Sequence, residues 1–257
     1  MLGKLVKYDL KWTYKLLIVF YILVLVFALI GRCLSLVDNS FIFEFLTQFS
    51  YGASIAMMFS IIINNLMRLW VRYINNVYRD EAYLTHTLPV EKRDIYLSKV
   101  ITAVVTSFTS LLVIIVGVII CYYSKDFLNV IKSFLSNELI TILGELIVVV
   151  FLELIFVQCL GFLAITLGYR SNGNKIVASL VIGFGIYMLS SIISVIILLI
   201  IAVFSPNLMA LFISSNPAVP ATILKSILII SMVIYLVYIV VSNFIGCKVL
   251  KAGVNVD

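Results

Sequence analysis

Two carboxylates interrupt a long apolar stretch in the second half of the chain. Glu145 and Glu153 lie eight residues apart, which on a helix separates them by about 80° and about 12 Å. A carboxylate at membrane depth costs roughly 2.5–3.5 kcal/mol on insertion scales, so it usually faces protein or water. The pair suits the wall of a polar cavity that binds a cationic or amphipathic substrate, or a proton site. The alternative is structural, with a protonated Glu153 bonded to a neighbouring helix and Glu145 near the outer head groups.

Other chemically active arrangements are missing from the sequence. His86 is the only histidine, which excludes a His-Glu-x-x-His zinc site and, because we expect it outside the membrane, an intramembrane Ser–His pair. No G-x-x-x-x-G-K-[ST] phosphate-binding loop occurs, since the sole Gly-Lys pair, Gly3-Lys4, is followed by Leu5. We therefore expect no catalytic residue, no metal site and no cofactor bound by this chain.

These side chains stand in a sequence that is 63% hydrophobic and 12% charged, with a mean hydropathy of +1.21. Soluble domains carry roughly a quarter of charged residues. The run from Leu16 to Ile30 is apolar throughout, and a spanning helix needs about 20 predominantly apolar residues. We predict an all-α integral membrane protein with a single transmembrane domain over 1–257 and six transmembrane helices. The predicted spans are 14–36, 45–67, 100–123, 139–167, 176–204 and 222–247.

The distribution of positive charges predicts the orientation of these spans. Lys and Arg concentrate on the cytoplasmic side of membrane proteins. With both termini inside, all Lys and Arg residues except Arg32, Lys125, Lys132 and Lys225 fall in inner segments. The net charge of +6 is then explained by topology and by the lipid bilayer, and no nucleic-acid partner is expected.

Residues 1–13 predict an amphipathic helix in the inner membrane interface, ahead of the first span. Four lysines recur at spacings of three and four and share an arc of about 80° on a helical wheel. They are Lys4, Lys7, Lys11 and Lys15. Asp9 falls inside the opposite, apolar arc. Either its side chain bends outward to pair with a lysine, or it contacts another subunit.

Two connecting segments carry helix signals of their own. Residues 205–221 begin with Ser205-Pro206, a pair typical of a helix start, and predict a short outer re-entrant helix. Residues 68–99 form the largest inner loop. Within it, acidic residues at the N-terminal end and Pro89 at the other end predict a short helix over 80–88.

The inner loop also carries a recognisable motif. Asp80-Glu81-Ala82-Tyr83-Leu84-Thr85-His86-Thr87-Leu88-Pro89-Val90, followed by Ser98-Lys99, resembles the D-E-x-Y-L-T-x-T-L-P-V…S-K signature of type-2 ABC transporter permeases from Gram-positive bacteria. In that family this loop holds a cytoplasmic coupling helix, which sits in a cleft of the ATP-binding subunit. The resemblance implies that Asp80, Glu81, Tyr83, Leu84, Thr87 and Leu88 dock on that subunit, and that Pro89 fixes the turn towards the third span.

The resemblance further implies a partner set and a cargo class. ATP and Mg would be bound by two copies of a separate ATP-binding subunit, and a second permease copy or a paralogue would complete the assembly. The chain looks like half-permeases that export antimicrobial or toxin peptides, such as bacteriocins, lantibiotics and phenol-soluble modulins, across the bacterial cytoplasmic membrane. Glu145 and Glu153 would then be candidates for the pathway of a peptide or other amphipathic substrate.

Two other classes of function fit the same composition. A proton-coupled secondary transporter would use Glu145 and Glu153 and need no ATPase, although the matched pair of broken helices typical of that class is not seen in the sequence. A non-transporting immunity protein would sequester a peptide without moving it.

Overall fold

A computed structural model describes residues 2–37, 40–87, 89–122, 137–205 and 221–253, and within 137–205 it describes side chains from residue 140 onward. The described residues form helices and no strand. The helices are α1 (Leu2–Leu34), α2 (Phe41–Tyr78), α3 (Ala82–Thr87), α4 (Lys92–Tyr122), α5 (Asn137–Gly168), α6 (Lys175–Phe204) and α7 (Ala221–Lys251). All except α3 are long and apolar enough to cross a membrane. The predicted helical class and the six candidate spans are confirmed for this part of the chain.

The first helix differs from the prediction. Residues 2–13 are helical, but they continue into the first span as the single helix α1, so the separate interfacial helix was wrong. No glycine or proline occurs between Lys4 and Ile30, so nothing in the sequence interrupts the helix at residue 13.

The predicted inner loop 68–99 is also largely helical. Helix α2 continues to Tyr78 and α4 begins at Lys92. The chain leaves α2 in a tight turn, where the backbone N–H of Arg79 donates to the carbonyl of Ile74 (3.1 Å) and that of Glu81 donates to the carbonyl of Asn75 (3.1 Å). Helix α3 lies within the predicted 80–88. The predicted re-entrant helix falls on 206–220, outside the described residues.

The chain divides into two compact units, Met1–Lys132 (unit 1) and Ser133–Asp257 (unit 2). In unit 1, helices α1, α2 and α4 pack on one another around an apolar cluster. The cluster consists of Leu17, Tyr21, Val24, Met58 and Ile61. Gly117 of α4 allows this close packing, because a Cβ there would lie 2.7 Å from side-chain atoms of Val24 and Met58.

In unit 2, helix α5 packs against both α6 and α7. Gly168 at the end of α5 meets the backbone of Ser179, and a Cβ there would overlap it. Between α6 and α7, the Tyr238 hydroxyl donates to the carbonyl of Ser190 (2.9 Å) and lies 3.1 Å from the hydroxyl of Ser194. Small residues and hydroxyl contacts of this kind favour helix association within a bilayer.

Candidate functional site

Helix α3 exposes two large apolar side chains, which we call the α3 patch. Tyr83 is 78% exposed and Leu84 is 66% exposed. On the other side of the same helix, Ala82 and Thr85 are buried. A short helix that buries small residues and exposes an aromatic and an aliphatic side chain leaves its best contact surface unused within the chain.

The other residues predicted to dock surround this patch. Asp80, Thr87 and Pro89 are exposed, and Glu81 is half-buried. Leu88 lies outside the described residues. The structure therefore brings Asp80, Tyr83, Leu84 and Thr87 to one exposed segment but turns the Glu81 carboxylate back towards the helical unit.

Local hydrogen bonds hold α3 against the end of α2. The Thr85 hydroxyl donates to the carbonyl of Glu81 (2.9 Å), which closes the first turn of α3. The His86 Nε2 atom lies 3.1 Å from the carbonyl oxygen of Val77 in α2. The single histidine therefore has a structural contact at the base of α3.

The Glu81 carboxylate is bound by Arg72 of α2. One terminal nitrogen of the guanidinium, Nη1, donates to Oε1 at 2.7 Å and to Oε2 at 2.9 Å. The Arg72 Nε donates to Oδ1 of Asp9 at 3.2 Å. One arginine therefore joins the segment that leads into α3 to helix α1.

Asp9 is also bound by Lys99 of α4. The Lys99 ammonium donates to both carboxylate oxygens of Asp9, each at 2.7 Å. Only 4% of the Asp9 side chain and 5% of the Lys99 side chain are exposed. We call Asp9, Arg72, Glu81 and Lys99 the Asp9 network; it contains two acids and two bases, from α1, α2, α4 and the turn before α3.

This arrangement corrects part of the expectation for Asp9. Its side chain pairs with a lysine, as the first alternative stated, but it is buried rather than bent outward, and its partners lie within the same chain rather than in another subunit. Removing two charges from water costs several kcal/mol per ion, and only good geometry with further hydrogen bonds offsets that cost. Asp9 accepts three charge-assisted hydrogen bonds, which meets that requirement.

The Trp12 ring of α1 lies beside the network. The guanidinium carbon of Arg68 lies 4.2 Å from the centre of the Trp12 ring, and that of Arg72 lies 5.4 Å from it. Arg68 also donates to the carbonyl of Trp12 at 3.0 Å. Cations stacked on a tryptophan face are stabilised by the ring quadrupole. Trp12 therefore orients the plane of the Arg72 guanidinium, while the ion pairs to Asp9 and Glu81 position its nitrogen atoms.

In unit 2, Glu145 and Glu153 have different surroundings. One Glu145 oxygen lies 3.8 Å from the ammonium of Lys225 in α7. Glu153 is half-buried, and no hydrogen bond or ion pair to its carboxylate occurs among the described residues. Gln158, which sequence reasoning left unassigned, is 1% exposed, and neither polar atom of its side chain has a partner in the described part of the chain.

The geometry distinguishes what these groups can do. Both carboxylates of the Asp9 network are paired with Arg72 or Lys99, so neither is free to act as a catalytic base or to bind a substrate. It is suited to holding α3 in a defined position relative to α1 and α4. Sequence reasoning missed it, although an acid in the apolar arc of α1 was a signal that a buried cation lies opposite.

Scans of protein-family models, curated proteins and solved structures each found no match to this chain. The likeness to type-2 ABC permeases therefore rests on the sequence motif at residues 80–99. Membership of that family stays a prediction.

Proposed function

We propose that this chain is the membrane permease subunit of an ATP-driven ABC exporter in a bacterial cytoplasmic membrane. The observation that carries the proposal is the α3 patch. Tyr83 and Leu84 are exposed within a charged segment between two candidate spans, and the segment matches the motif that supplies the ATPase-docking helix in type-2 permeases. In this proposal a separate ATP-binding subunit hydrolyses ATP, because this sequence contains no phosphate-binding loop.

In this proposal the α3 patch fills a cleft of the ATP-binding subunit. Interfaces of this kind draw most of their affinity from a few well-packed aromatic and aliphatic anchors. Asp80 and Thr87, at either end of α3, lie at the polar rim, where charge steers association and sets specificity. The Asp9 network then transmits a movement of α3 to helices α1 and α4, because Arg72 binds Glu81 and Asp9 at once.

The proposed complex contains two permease chains and two ATP-binding subunits, with both termini of each permease in the cytoplasm. The cargo is an amphipathic peptide of the antimicrobial or toxin type. Glu145 and Glu153 are the candidate side chains for its pathway, since they are acidic residues within an otherwise apolar helix. Cationic residues of such a peptide would be attracted to them.

The test compares two matched substitutions in the tagged full chain. Leu84→Glu places a charge in the α3 patch. Leu36→Glu places the same charge at another exposed leucine, which is 73% exposed and follows the C-terminal end of α1. We expect wild type and Leu36→Glu to copurify with a P-loop ATPase and to stimulate its ATP hydrolysis. Leu84→Glu should no longer copurify with the ATPase, and its stimulation of ATP hydrolysis should fall at least tenfold. The variant should still insert into the membrane.

Retention of the ATPase and of full stimulation by Leu84→Glu would refute docking on α3. If the wild-type chain purifies without any ATPase under conditions that preserve known complexes, the ABC proposal fails. Transport that then persists after ATP depletion but stops when the proton gradient is collapsed would support a secondary transporter that uses Glu145 and Glu153. Protection from a peptide with no transport at all would support an immunity protein.

A further inference from the structure

The N-terminal part of α1 carries an exposed basic face, which we call the lysine face. It consists of Lys4, Lys7, Lys11 and Lys15, and all four side chains are exposed. In the described part of the chain, none of the four forms an ion pair or a hydrogen bond. Four positive charges therefore stand on one helix face without a counter-charge from the described residues.

The only acid in this part of α1 does not neutralise them. Asp9 lies about 160° around the helix from the centre of the lysine face. It is buried, and its carboxylate is engaged by Lys99 and Arg72. The Asp9 network thus leaves the full charge of the lysine face available to an external anion.

The same face becomes apolar further along the helix. Ile18, Ile22 and Leu29 follow within the angular range of the lysines, and each is more than half exposed. A face that is basic over its first turns and apolar and exposed over the next turns has the pattern of a membrane helix that passes from head groups into hydrocarbon. Because the apolar half of the face would lie in the hydrocarbon core, the lysines would lie next to the lipid head groups.

We propose that the lysine face binds the head groups of anionic phospholipids in the leaflet that the N-terminal end of α1 enters. The chemistry recognised is a lipid phosphate with a net negative charge. Lysine contributes a compact, strongly hydrated charge on a flexible stem, which suits such a diffuse anionic layer. This inference does not rest on the proposed transport function.

The helix geometry predicts that the four lysines contribute unequally. Lys15 directly precedes the apolar run that begins at Leu16, so it lies at the edge of the hydrocarbon. Lys11 is about 6 Å further out along the axis and Lys4 about 16 Å, whereas one head-group layer is roughly 5–8 Å thick. Lys11 and Lys15 should therefore bind head groups directly, and Lys4 and Lys7 should act only through the screened field outside the layer.

The experiment measures lipid selectivity of the full chain reconstituted in phosphatidylcholine bilayers. Electron paramagnetic resonance of spin-labelled lipids gives the association constant of phosphatidylglycerol relative to that of phosphatidylcholine. We expect wild type to prefer phosphatidylglycerol. The double substitution Lys11→Gln with Lys15→Gln should reduce that preference roughly 25-fold for sites on this face, at about fivefold per lysine.

The matched control is the double substitution Lys4→Gln with Lys7→Gln, which removes the same charge from the same face. It should reduce the preference less than threefold. Equal effects of the two pairs, or no preference in wild type, would overturn the proposal. Competition by soluble glycerol phosphate at millimolar concentration would also overturn it, because the site would then be a phosphate site that does not require a membrane surface.

A second copy of the chain is the competing occupant of this face. Ile22→Cys in a cysteine-free background reports on it, since Ile22 lies on the apolar continuation of the lysine face. Efficient disulfide formation between copies at Ile22, together with an unchanged lipid preference in Lys11→Gln with Lys15→Gln, would assign the face to a protein interface. Absence of that crosslink with loss of the lipid preference would support the assignment to lipid.

Discussion

In unit 1 the buried carboxylate of Asp9 accepts hydrogen bonds from two cations, whereas in unit 2 the equally buried amide of Gln158 has no hydrogen-bond partner among the described residues. Both side chains stand in helices that are otherwise mainly apolar. The Asp9 network joins three long helices and the turn before α3. Between the helices of unit 2, the described residues form hydroxyl contacts, as between Tyr238 of α7 and Ser190 of α6, and a long ion pair between Glu145 and Lys225, but no buried cluster of charges.

This difference separates two uses of polarity in an apolar bundle. A buried ion pair contributes little net stability compared with good apolar packing, but breaking it is costly, so it defines the positions of the elements that it joins. An unpaired buried amide lowers stability by its desolvation cost, and it does not fix the position of a neighbouring helix. We infer that unit 1 is built around a fixed electrostatic centre and that unit 2 is held chiefly by close packing, as at Gly168 and Ser179.

The largest expected effect comes from breaking the Asp9 network on one side only. Asp9→Leu leaves the Lys99 ammonium buried with no carboxylate bonded to it. We expect a loss of about 3–5 kcal/mol in the free energy of unfolding. The measurement is the fraction of monodisperse protein that remains after heating in detergent, compared with wild type.

The double substitution Asp9→Leu with Lys99→Met removes both charges and fills their volume with apolar atoms. It should recover most of the stability, because Arg72 keeps its pairing with Glu81 and no buried charge is left alone. If the double variant is as unstable as Asp9→Leu, the network is not the fixed centre of unit 1. A stable double variant that fails to stimulate the ATPase would show that the network also transmits movement from α3.

The next effect tests the unit 2 side of the comparison. Gln158→Met replaces the buried amide by an apolar side chain of similar length, and we expect stability to stay equal or to rise by about 1–3 kcal/mol as the unpaired polar group is removed. The matched change in unit 1 is Ser110→Ala, which removes a 2.8 Å hydrogen bond to the Tyr21 hydroxyl. It should lower stability by about 1 kcal/mol. Both are read from thermal unfolding in the same detergent.

A clear loss of stability in Gln158→Met would contradict this interpretation. It would mean that the amide is paired in the membrane, by a second subunit or by a bound molecule. Gln158 would then join Glu145 and Glu153 as a candidate for the polar pathway of unit 2.

The sequence allowed the long helices to be predicted because each depends on a continuous local pattern. Fifteen apolar residues in a row at Leu16–Ile30, with further apolar residues on either side, predict a membrane span, and a chain within a bilayer must be helical to satisfy its backbone. The short helix α3 was also predictable, from acids at one end and Pro89 at the other. These features need no knowledge of distant residues.

The Asp9 network could not be predicted in the same way, because its members are far apart in the chain. A helical wheel shows that Asp9 faces away from the lysines of α1, but it does not identify the group on the other side. Lys99 is 90 positions away, and the sequence indicated it only as a charge that sets orientation and as the last residue of the permease-like motif. The amphipathic pattern of residues 1–13 likewise reports two faces of a helix and not whether the helix bends, which is why a separate interfacial helix was wrongly expected.

The smallest expected effect concerns Glu145 and Lys225, whose charged atoms are 3.8 Å apart with the lysine side chain 47% exposed. A loose, partly exposed pair contributes about 0–1 kcal/mol, so Glu145→Gln and Lys225→Met should each change the free energy of unfolding by less than about 1 kcal/mol. The informative measurement is transport of a fluorescent cationic amphipathic peptide into inverted vesicles, set beside stability. If Glu145→Gln lowers transport severalfold and Lys225→Met does not, the carboxylate meets the substrate and unit 2 has a functional polar group after all. If the two variants lower transport equally, the pair acts as a structural contact between α5 and α7, and Glu153, with no bonded partner in the described residues, becomes the stronger candidate for the pathway.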